Sequence, residues 1–449
     1  MSSAVEKLTS LVDDQHKYDV PHAEIKATQI EAVNERFQDR KDRIKLLGKR
    51  ASDAQLTEIR SMEDMVHVLF PHTAYKSYPE SFLLGGKWDK LSKWLATVSP
   101  YPIPNLDYDK IDGIDDWVEQ LEEKGVFVSC SSGTSGKSAM LLASAKDMDW
   151  CRKEAVSAYS WGSGVTPAQD RRMFGLAPVA SVARNRVTGA AYRAALQDSN
   201  YEPFNYPVPP MTVGGMTKMV VLRKKIADGT ATPSELQDYE KTSAERQKIM
   251  EKAVESSAEA IIEARNDKLH VTGMWSSLYN IARLVRDKSY SGKDFNPENS
   301  IYVGGGLKGA QLPADYREFV YATFNIAPER NYQNYSMQEL QSGMPRCQQG
   351  QRYHIPPWVV PLILDKSGDN LLPVTDGEYE GRAAFFDLSL DGRWGGVISG
   401  DKVSIDFSPC ACGAKSPSIR DNIARFADLE GDDKIGCAGT VDAYVRGVS

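Results

Sequence analysis

The chain has 449 residues, 41% of them hydrophobic, enough to bury a large core and to divide into more than one lobe. A net charge of −7 argues against a nucleic-acid surface, and no apolar run approaches the roughly 20 residues of a membrane helix. Six cysteines in this length do not make a disulfide framework, and residues 1–13 lack a basic region followed by an apolar one, so a soluble cytoplasmic protein is expected. In chain order, residues 5–64 read as helix, with Ile30, Val33, Phe37, Ile44 and Leu47 at helical spacing, and form a helical cap. Residues 69–78 are extended or irregular because Pro71 breaks any helix. His67 and His72 lie close together but lack a third ligand, and no role is assigned to them. Residues 100–107 are a proline-punctuated linker, and 114–124 a short amphipathic helix.

An apolar β-branched run at 126–128 predicts a buried strand. It breaks into Ser131, Ser132, Gly133, Thr134, Ser135, Gly136, Lys137 and Ser138. Glycines let backbone N–H groups turn inward, and the hydroxyls and one ammonium add donors, which suits a phosphate. The nucleoside-triphosphatase loop requires glycine where Ser131 stands and opens directly into a helix. Here residues 139–143 form a second apolar run, and the helix is expected at 149–159 with Asp147 as its N-cap. A Ser/Gly-rich surface turn is the plain alternative.

Beyond it, 174–178 reads as a strand, followed by small residues at Ala177, Ala180, Ala183, Gly189, Ala190 and Ala191. Residues 203–215, with four prolines, form a surface connection. A long charged helix at 234–266 carries one apolar stripe, Ile249, Met250, Val254, Ile261 and Ile262, a solvated helix or the contact of a homodimer. A strand at 269–272 and a helix at 275–285 continue the alternation of a parallel sheet. The strand at 301–306 runs into Gly304, Gly305 and Gly306, where a flat ring can lie against backbone. A helix at 314–324 precedes the run NYQNYSMQE, residues 331–339. Cys347, His354, Cys410 and Cys412 supply the soft donors of a closed tetrahedral zinc site, the alternative being cysteines buried as small hydrophobes. An apolar strand ends at Asp365, and 381–388, 395–399 and 402–407 read as short antiparallel strands with Asp391 and Gly392 as a turn. Ser399, Gly400 and Asp401, taken alone, read as a hairpin turn.

In this order the motifs resemble those of the adenylate-forming enzymes, the superfamily of acyl-CoA synthetases, adenylation domains and luciferases. Residues 131–136 resemble its hydroxyl-glycine loop, Tyr335 and Glu339 its Tyr-Gly-x-Thr-Glu motif, Ser399 to Asp401 its Thr-Gly-Asp, and Asp432 and Asp433 its Gly-Arg-x-Asp-Asp hinge. Ser138, Ala139, Ser336 and Gln338 depart from the pattern. The Cys/His set resembles the phenylacetate-CoA ligase branch, and HIPPWVVPLILD resembles the acyl-protein synthetase of the bacterial luciferase system. The resemblance implies an α/β fold: a large N-terminal domain with two parallel-sheet subdomains and a small antiparallel β subdomain, the small C-terminal domain being absent. It sets segments at 1–110 (helical cap and linker), 111–345 (α/β core), 346–423 (β subdomain with zinc) and 424–449 (hinge remnant and tail).

The activity implied is ATP-dependent: a small carboxylic acid becomes an acyl- or aryl-adenylate with release of pyrophosphate. The acyl group then passes to a thiol of CoA, of a carrier protein or partner enzyme, or of Cys437 in the chain's own tail, the alternative for Cys437 being an inert tail cysteine. Ser132, Gly133, Thr134, Ser135 and Gly136 would hold phosphates with Lys137, and Gly304, Gly305, Gly306, Asn334 and Tyr335 would receive adenine. Asp401 would accept hydrogen bonds from the ribose hydroxyls, with Arg425 a second ribose contact. Glu339 would hold Mg²⁺, Gln338 would stand at the α-phosphate, and Cys347, His354, Cys410 and Cys412 would bind a structural Zn²⁺. Residues 174–196 would wall the acyl pocket, the alternative being plain helix-to-sheet packing. Three other readings stay open: a homologue that only transfers a preformed acyl-adenylate, a phosphotransferase using the near-miss loop, and a non-catalytic binding subunit.

Overall fold

The computed structural model describes residues 2–130, 137–304, 307 and 311–430. Ser132 to Gly136, Gly305, Gly306, the Asp432–Asp433 pair and Cys437 therefore lie outside the described residues. No helix among those described is long and apolar enough to cross a membrane. The chain forms two compact units that interleave in sequence, where the reading above set consecutive segments: Met1–Glu154 with Val182–Arg184 and Asn334–Ser449, and Ala155–Ser181 with Asn185–Gln333.

The second unit is built on four parallel strands in the order Arg172–Gly175, Leu269–Gly273, Asn299–Val303 and Ile326–Tyr332. Val271 and Ile301 face each other across the ladder with no exposed surface, as expected of a parallel sheet covered by helices. Helices Pro233–Glu263, Trp275–Asp287 and Tyr316–Phe324 supply that cover. The long helix starts where Thr232 and Glu235 form a capping box ahead of Pro233. Much of its apolar stripe is spent inside the unit, since Ile261 is in the core and Met250, Val254 and Ile262 pack against it. This leaves Ile249 exposed and little of the face that a dimer contact would need. Helix Val213–Ala227 was not expected, because Gly214 and Gly215 occupy its first turn, where Thr212 caps the Gly215 N–H at 3.0 Å. The 203–215 connection is partly internal, with Phe204 bridged to Phe174 and Tyr206 buried.

The first unit carries a largely antiparallel sheet in the order Tyr353–His354, Ser418–Ile419, Gly396–Asp406, Glu378–Asp387 and Val359–Leu364. Phe70–Pro71 joins Gly396–Asp406 in parallel, and Ala424–Arg425 joins it antiparallel. Among the described residues of the first unit that is the one parallel pair, where a second parallel sheet was expected: the three main strands, consecutive along the chain, pair antiparallel through the connections at 365–377 and 388–395. The two short strands read at 395–399 and 402–407 are one strand, Gly396–Asp406, kept continuous by pairing with Glu378–Asp387 on both sides of an irregularity between Arg382 and Ala384. The N-terminal helices are tied to this sheet by buried polar groups: Arg40 donates to the Arg393 carbonyl at 2.7 Å and Gln29 to that of Pro357 at 2.8 Å.

Phe127–Cys130 and Met140–Ala143 pair antiparallel, as the strand-loop-strand reading requires. The next helix begins earlier than expected, at Ala145, and its cap is Ser144. Asp147 is the reciprocal residue of the box: its carboxylate accepts from the Ser144 N–H at 2.7 Å and from the Asp391 and Gly392 N–H groups at 2.8 Å each. That contact seats the 388–395 turn so closely that a Cβ at Gly392 would lie 2.7 Å from the Ala143 Cα.

Candidate active site

Tyr78 holds the base of the hydroxyl-rich loop. Its buried hydroxyl donates to the Ser138 carbonyl at 2.8 Å. The Lys137 ammonium donates to the Tyr78 carbonyl and lies 5.0 Å from the Tyr78 ring centroid. Lys137 is thus turned onto the Tyr78 backbone, 59 positions earlier in the chain, a position the sequence did not anticipate.

Asp401 gathers the next group of residues. The Tyr335 hydroxyl donates to Asp401 Oδ2 at 2.7 Å, and Arg425 Nε lies 3.8 Å from Oδ1. Arg425, which stands too far from the aspartate pair to fit the hinge motif in sequence, reaches this point because Ala424–Arg425 pairs with Asp401 and Lys402. Ser399, Gly400 and Asp401 sit at the strand irregularity, not in a hairpin turn, and such irregularities re-aim a side chain. The Tyr335 ring packs near Phe385 and Tyr353, and burial, then the Asp401 carboxylate, pushes its hydroxyl well above the ordinary range. Tyr335 therefore stays protonated and donates. One hydrogen bond and one longer ion pair leave a carboxylate with further acceptor capacity.

The turn between Asn334–Tyr335 and Met344–Pro345 bears Gln338 and Glu339. It is fixed from behind by groups the sequence did not reveal. Arg393, 2% exposed, donates to the carbonyls of Gln338 at 3.0 Å, Glu339 at 3.1 Å and Leu142 at 2.9 Å. The buried Asp387 carboxylate accepts from the N–H groups of Gln341 and Ser342, both at 2.9 Å. Glu154 accepts from the Gly343 N–H at 3.0 Å, and burial raises its pKa to about 7. Gln338 Oε1 is buried with no hydrogen-bond partner among the described residues, and the Asn334 amide is packed against Gly343, where a Cβ would meet it at 2.8 Å. Glu339 is partly buried. Its carboxylate acts on Lys76, which the sequence also left without a role.

The four soft donors come together. Cys347, His354, Cys410 and Cys412 each place a ligand atom within 4.8 Å of the others. The Cys347 and Cys410 sulfurs are 3.7 Å apart and Cys412 Sγ is 3.4 Å from His354 Nε2, close to the separations expected from Zn–S near 2.3 Å and Zn–N near 2.0 Å in a tetrahedron. Ser416 Oγ, 3.2 Å from His354 Nδ1, orients the ring. Burial lowers His354 to about 4, so the imidazole is neutral and able to ligate. A Cβ at Gly350 would stand 2.1 Å from the Cys410 sulfur and 3.2 Å from that of Cys347, so only glycine fits this turn. These residues fit zinc.

In the second unit, Gly304 ends its strand with its N–H bonded to the Gly273 carbonyl at 3.1 Å, and a Cβ there would meet open space. Of the small residues named in 174–196, Ala177, Ala183 and Ala191 are buried and Ala190 is exposed, and Tyr192 packs on Tyr159, Tyr302 and His270. Tyr192 and Leu196 belong to an internal core, while Ser181, Arg186, Ala190 and Arg193 are exposed.

A parallel sheet with flanking helices, a hairpin carrying the hydroxyl-rich loop and an antiparallel sheet presenting Asp401 make up the fold of the large N-terminal domain of the adenylate-forming enzymes. Among solved structures the chain is similar to a 2-hydroxyisobutyryl-CoA ligase. With that ligase in the post-adenylation state, in complex with R3-HIB-AMP, it shares 13% identity at a TM-score of 0.54, over 92% of this chain and 70% of the other. With the thioesterification state, in complex with 2-HIB-AMP and CoA, the values are 14%, 0.55, 91% and 70%. At this identity the likeness is one of fold. No protein-family model matches the sequence, and no curated protein matches it.

Proposed function

We propose that the protein activates a small carboxylic acid with ATP, forming an acyl- or aryl-adenylate and pyrophosphate, and passes the acyl group to a thiol. The observation that carries this reading is Asp401 held between Tyr335 and Arg425, with the Glu339 turn rising from the same Tyr335 strand. Asp401 binds the ribose hydroxyls, and Tyr335, locked by its hydrogen bond, offers a rigid ring edge to adenine. Gln338 reaches the α-phosphate through its amide N–H groups, its oxygen being the orphaned atom. Glu339 would hold Mg²⁺ with the nucleotide phosphates, since that ion is commonly bound by one or two carboxylates plus phosphate, and the ion would neutralise charge on the departing pyrophosphate. Arg393 and Asp387 keep the turn in place while the carboxylate oxygen attacks the α-phosphorus, so the residues work by positioning and charge neutralisation.

Cys347, His354, Cys410 and Cys412 would hold zinc as a structural clamp. The antiparallel pairing across the loop favours this reading over a phosphotransferase, whose phosphate loop leads into a helix. CoA, a carrier protein, a partner enzyme and Cys437 are the candidate acceptors. The test is a carboxylic-acid panel with ATP and Mg²⁺, scored for nucleotide products. AMP with pyrophosphate in step with one acid is the expected result. ADP would favour the phosphotransferase, and acyl transfer from a supplied acyl-adenylate without AMP formation would favour the transfer-only homologue.

A further inference from the structure

Lys76 closes a short 3₁₀ turn, His72–Lys76, between two buried tyrosines. Tyr75 donates through its hydroxyl to the Trp394 carbonyl at 3.2 Å, and Tyr78 to the Ser138 carbonyl at 2.8 Å. The strand before the turn, Phe70–Pro71, pairs with Val397 and Ile398, just ahead of the irregularity that aims Asp401. The segment is therefore pinned at one end to the sheet strand of Asp401 and at the other to the base of the hydroxyl-rich loop. Lys76 is carried between these anchors. It is partly buried, and the ionised side chains acting on it are Glu339 and Arg425, the two that the proposed function assigns to the nucleotide and its metal. Burial draws its pKa down while Glu339 raises it. Lys137 has its ammonium on the Tyr78 carbonyl.

We infer that Lys76 is the phosphate-contacting lysine of the adenylation step, a catalytic cation that binds the α-phosphate oxygens beside Glu339. This rests on the adenylate-forming reading and adds to it a residue outside all of the motifs that led there. As the carboxylate oxygen bonds to the α-phosphorus, the bond from that phosphorus to the bridging oxygen breaks and its electron pair leaves with pyrophosphate. Lys76 stays protonated throughout and stabilises the negative charge on the non-bridging oxygens, so no proton changes hands. A compact ammonium on a held backbone suits that task.

Two measurements test it on the full chain, with the acid that gives AMP. Lys76→Met is expected to lower the rate of AMP formation by about 10²–10³-fold, the loss typical of one charge-stabilising donor, with KM for the acid little changed. Lys76→Arg should recover part of it, and Lys137→Met should cost less than Lys76→Met. In the wild-type protein, ATP with Mg²⁺ should slow acetylation of Lys76, followed by peptide mass spectrometry, relative to the exposed Lys146. The footprint needs no variant, so it decides the matter even if Lys76→Met fails to fold. AMP formation by the wild type with Lys76 unprotected, or with an undiminished rate in Lys76→Met, overturns this inference alone. No AMP with any acid overturns the reading beneath it.

Discussion

Replacing Arg393 with methionine should lower AMP formation by about two to three orders of magnitude and destabilise the fold by about 3–5 kcal/mol, as expected for disrupting a buried, charge-assisted network. Three carbonyls from two separate segments converge on this one guanidinium: Leu142, just past the hydroxyl-rich loop, and Gln338 and Glu339 in the turn. Methionine fills similar space but leaves those oxygens buried without donors. Lysine would not restore them, because one ammonium cannot reproduce the planar fork that spans both segments. The check is a urea melt alongside the rate of AMP formation at several Mg²⁺ concentrations. If the turn has loosened, raising Mg²⁺ should recover part of the rate. An Arg393→Met protein with the wild-type urea midpoint and rate would show that the guanidinium is not the clamp.

Cys410→Ser should abolish stoichiometric zinc and produce the largest loss of stability of any single change in the first unit. Structural zinc contributes about 10–16 kcal/mol of apparent binding free energy in small peptides, and part of that is expected here. Gly350→Ala should act in the same direction by steric means, since its Cβ would occupy the space of two sulfurs. The effect should reach the nucleotide. The 347–354 turn carries Arg352, paired with Asp406 at 2.8 Å on the Asp401 strand, and Tyr353, whose ring neighbours that of Tyr335. KM for ATP should therefore rise as metal is withdrawn. Metal analysis with thermal unfolding checks this. Wild-type protein purified without metal and melting identically with and without added zinc would count against it.

What the sequence made legible was local. Tyr335 and Glu339 lie four residues apart, Ser399 to Asp401 are consecutive, and the Cys410–Cys412 pair sits in one turn, so each could be recognised by its spacing. The groups that fix them could not. Arg393 meets Leu142 from 251 positions away, Asp147 reaches Asp391 from 244, and Tyr75 meets Trp394 from 319. No periodicity encodes such distances. Asp147 was read as a cap because acidic residues favour that position, whereas Ser144, three residues earlier, takes the cap and leaves the carboxylate free to seat a distant turn. The strand Gly396–Asp406 was read as two because Gly400 punctuates it, and only pairing with Glu378–Asp387 keeps it continuous. Arg425 lies outside the hinge spacing along the chain, and strand pairing brings it to Asp401.

The decisive measurement is a crystal structure of the protein with a non-hydrolysable acyl-adenylate analogue. The expected result has both ribose hydroxyls within hydrogen-bond distance of the Asp401 carboxylate, adenine against Tyr335, and the phosphate mimic facing Lys76 and Glu339. An analogue bound elsewhere, with the Asp401–Tyr335–Arg425 cluster untouched, would contradict the proposed activity.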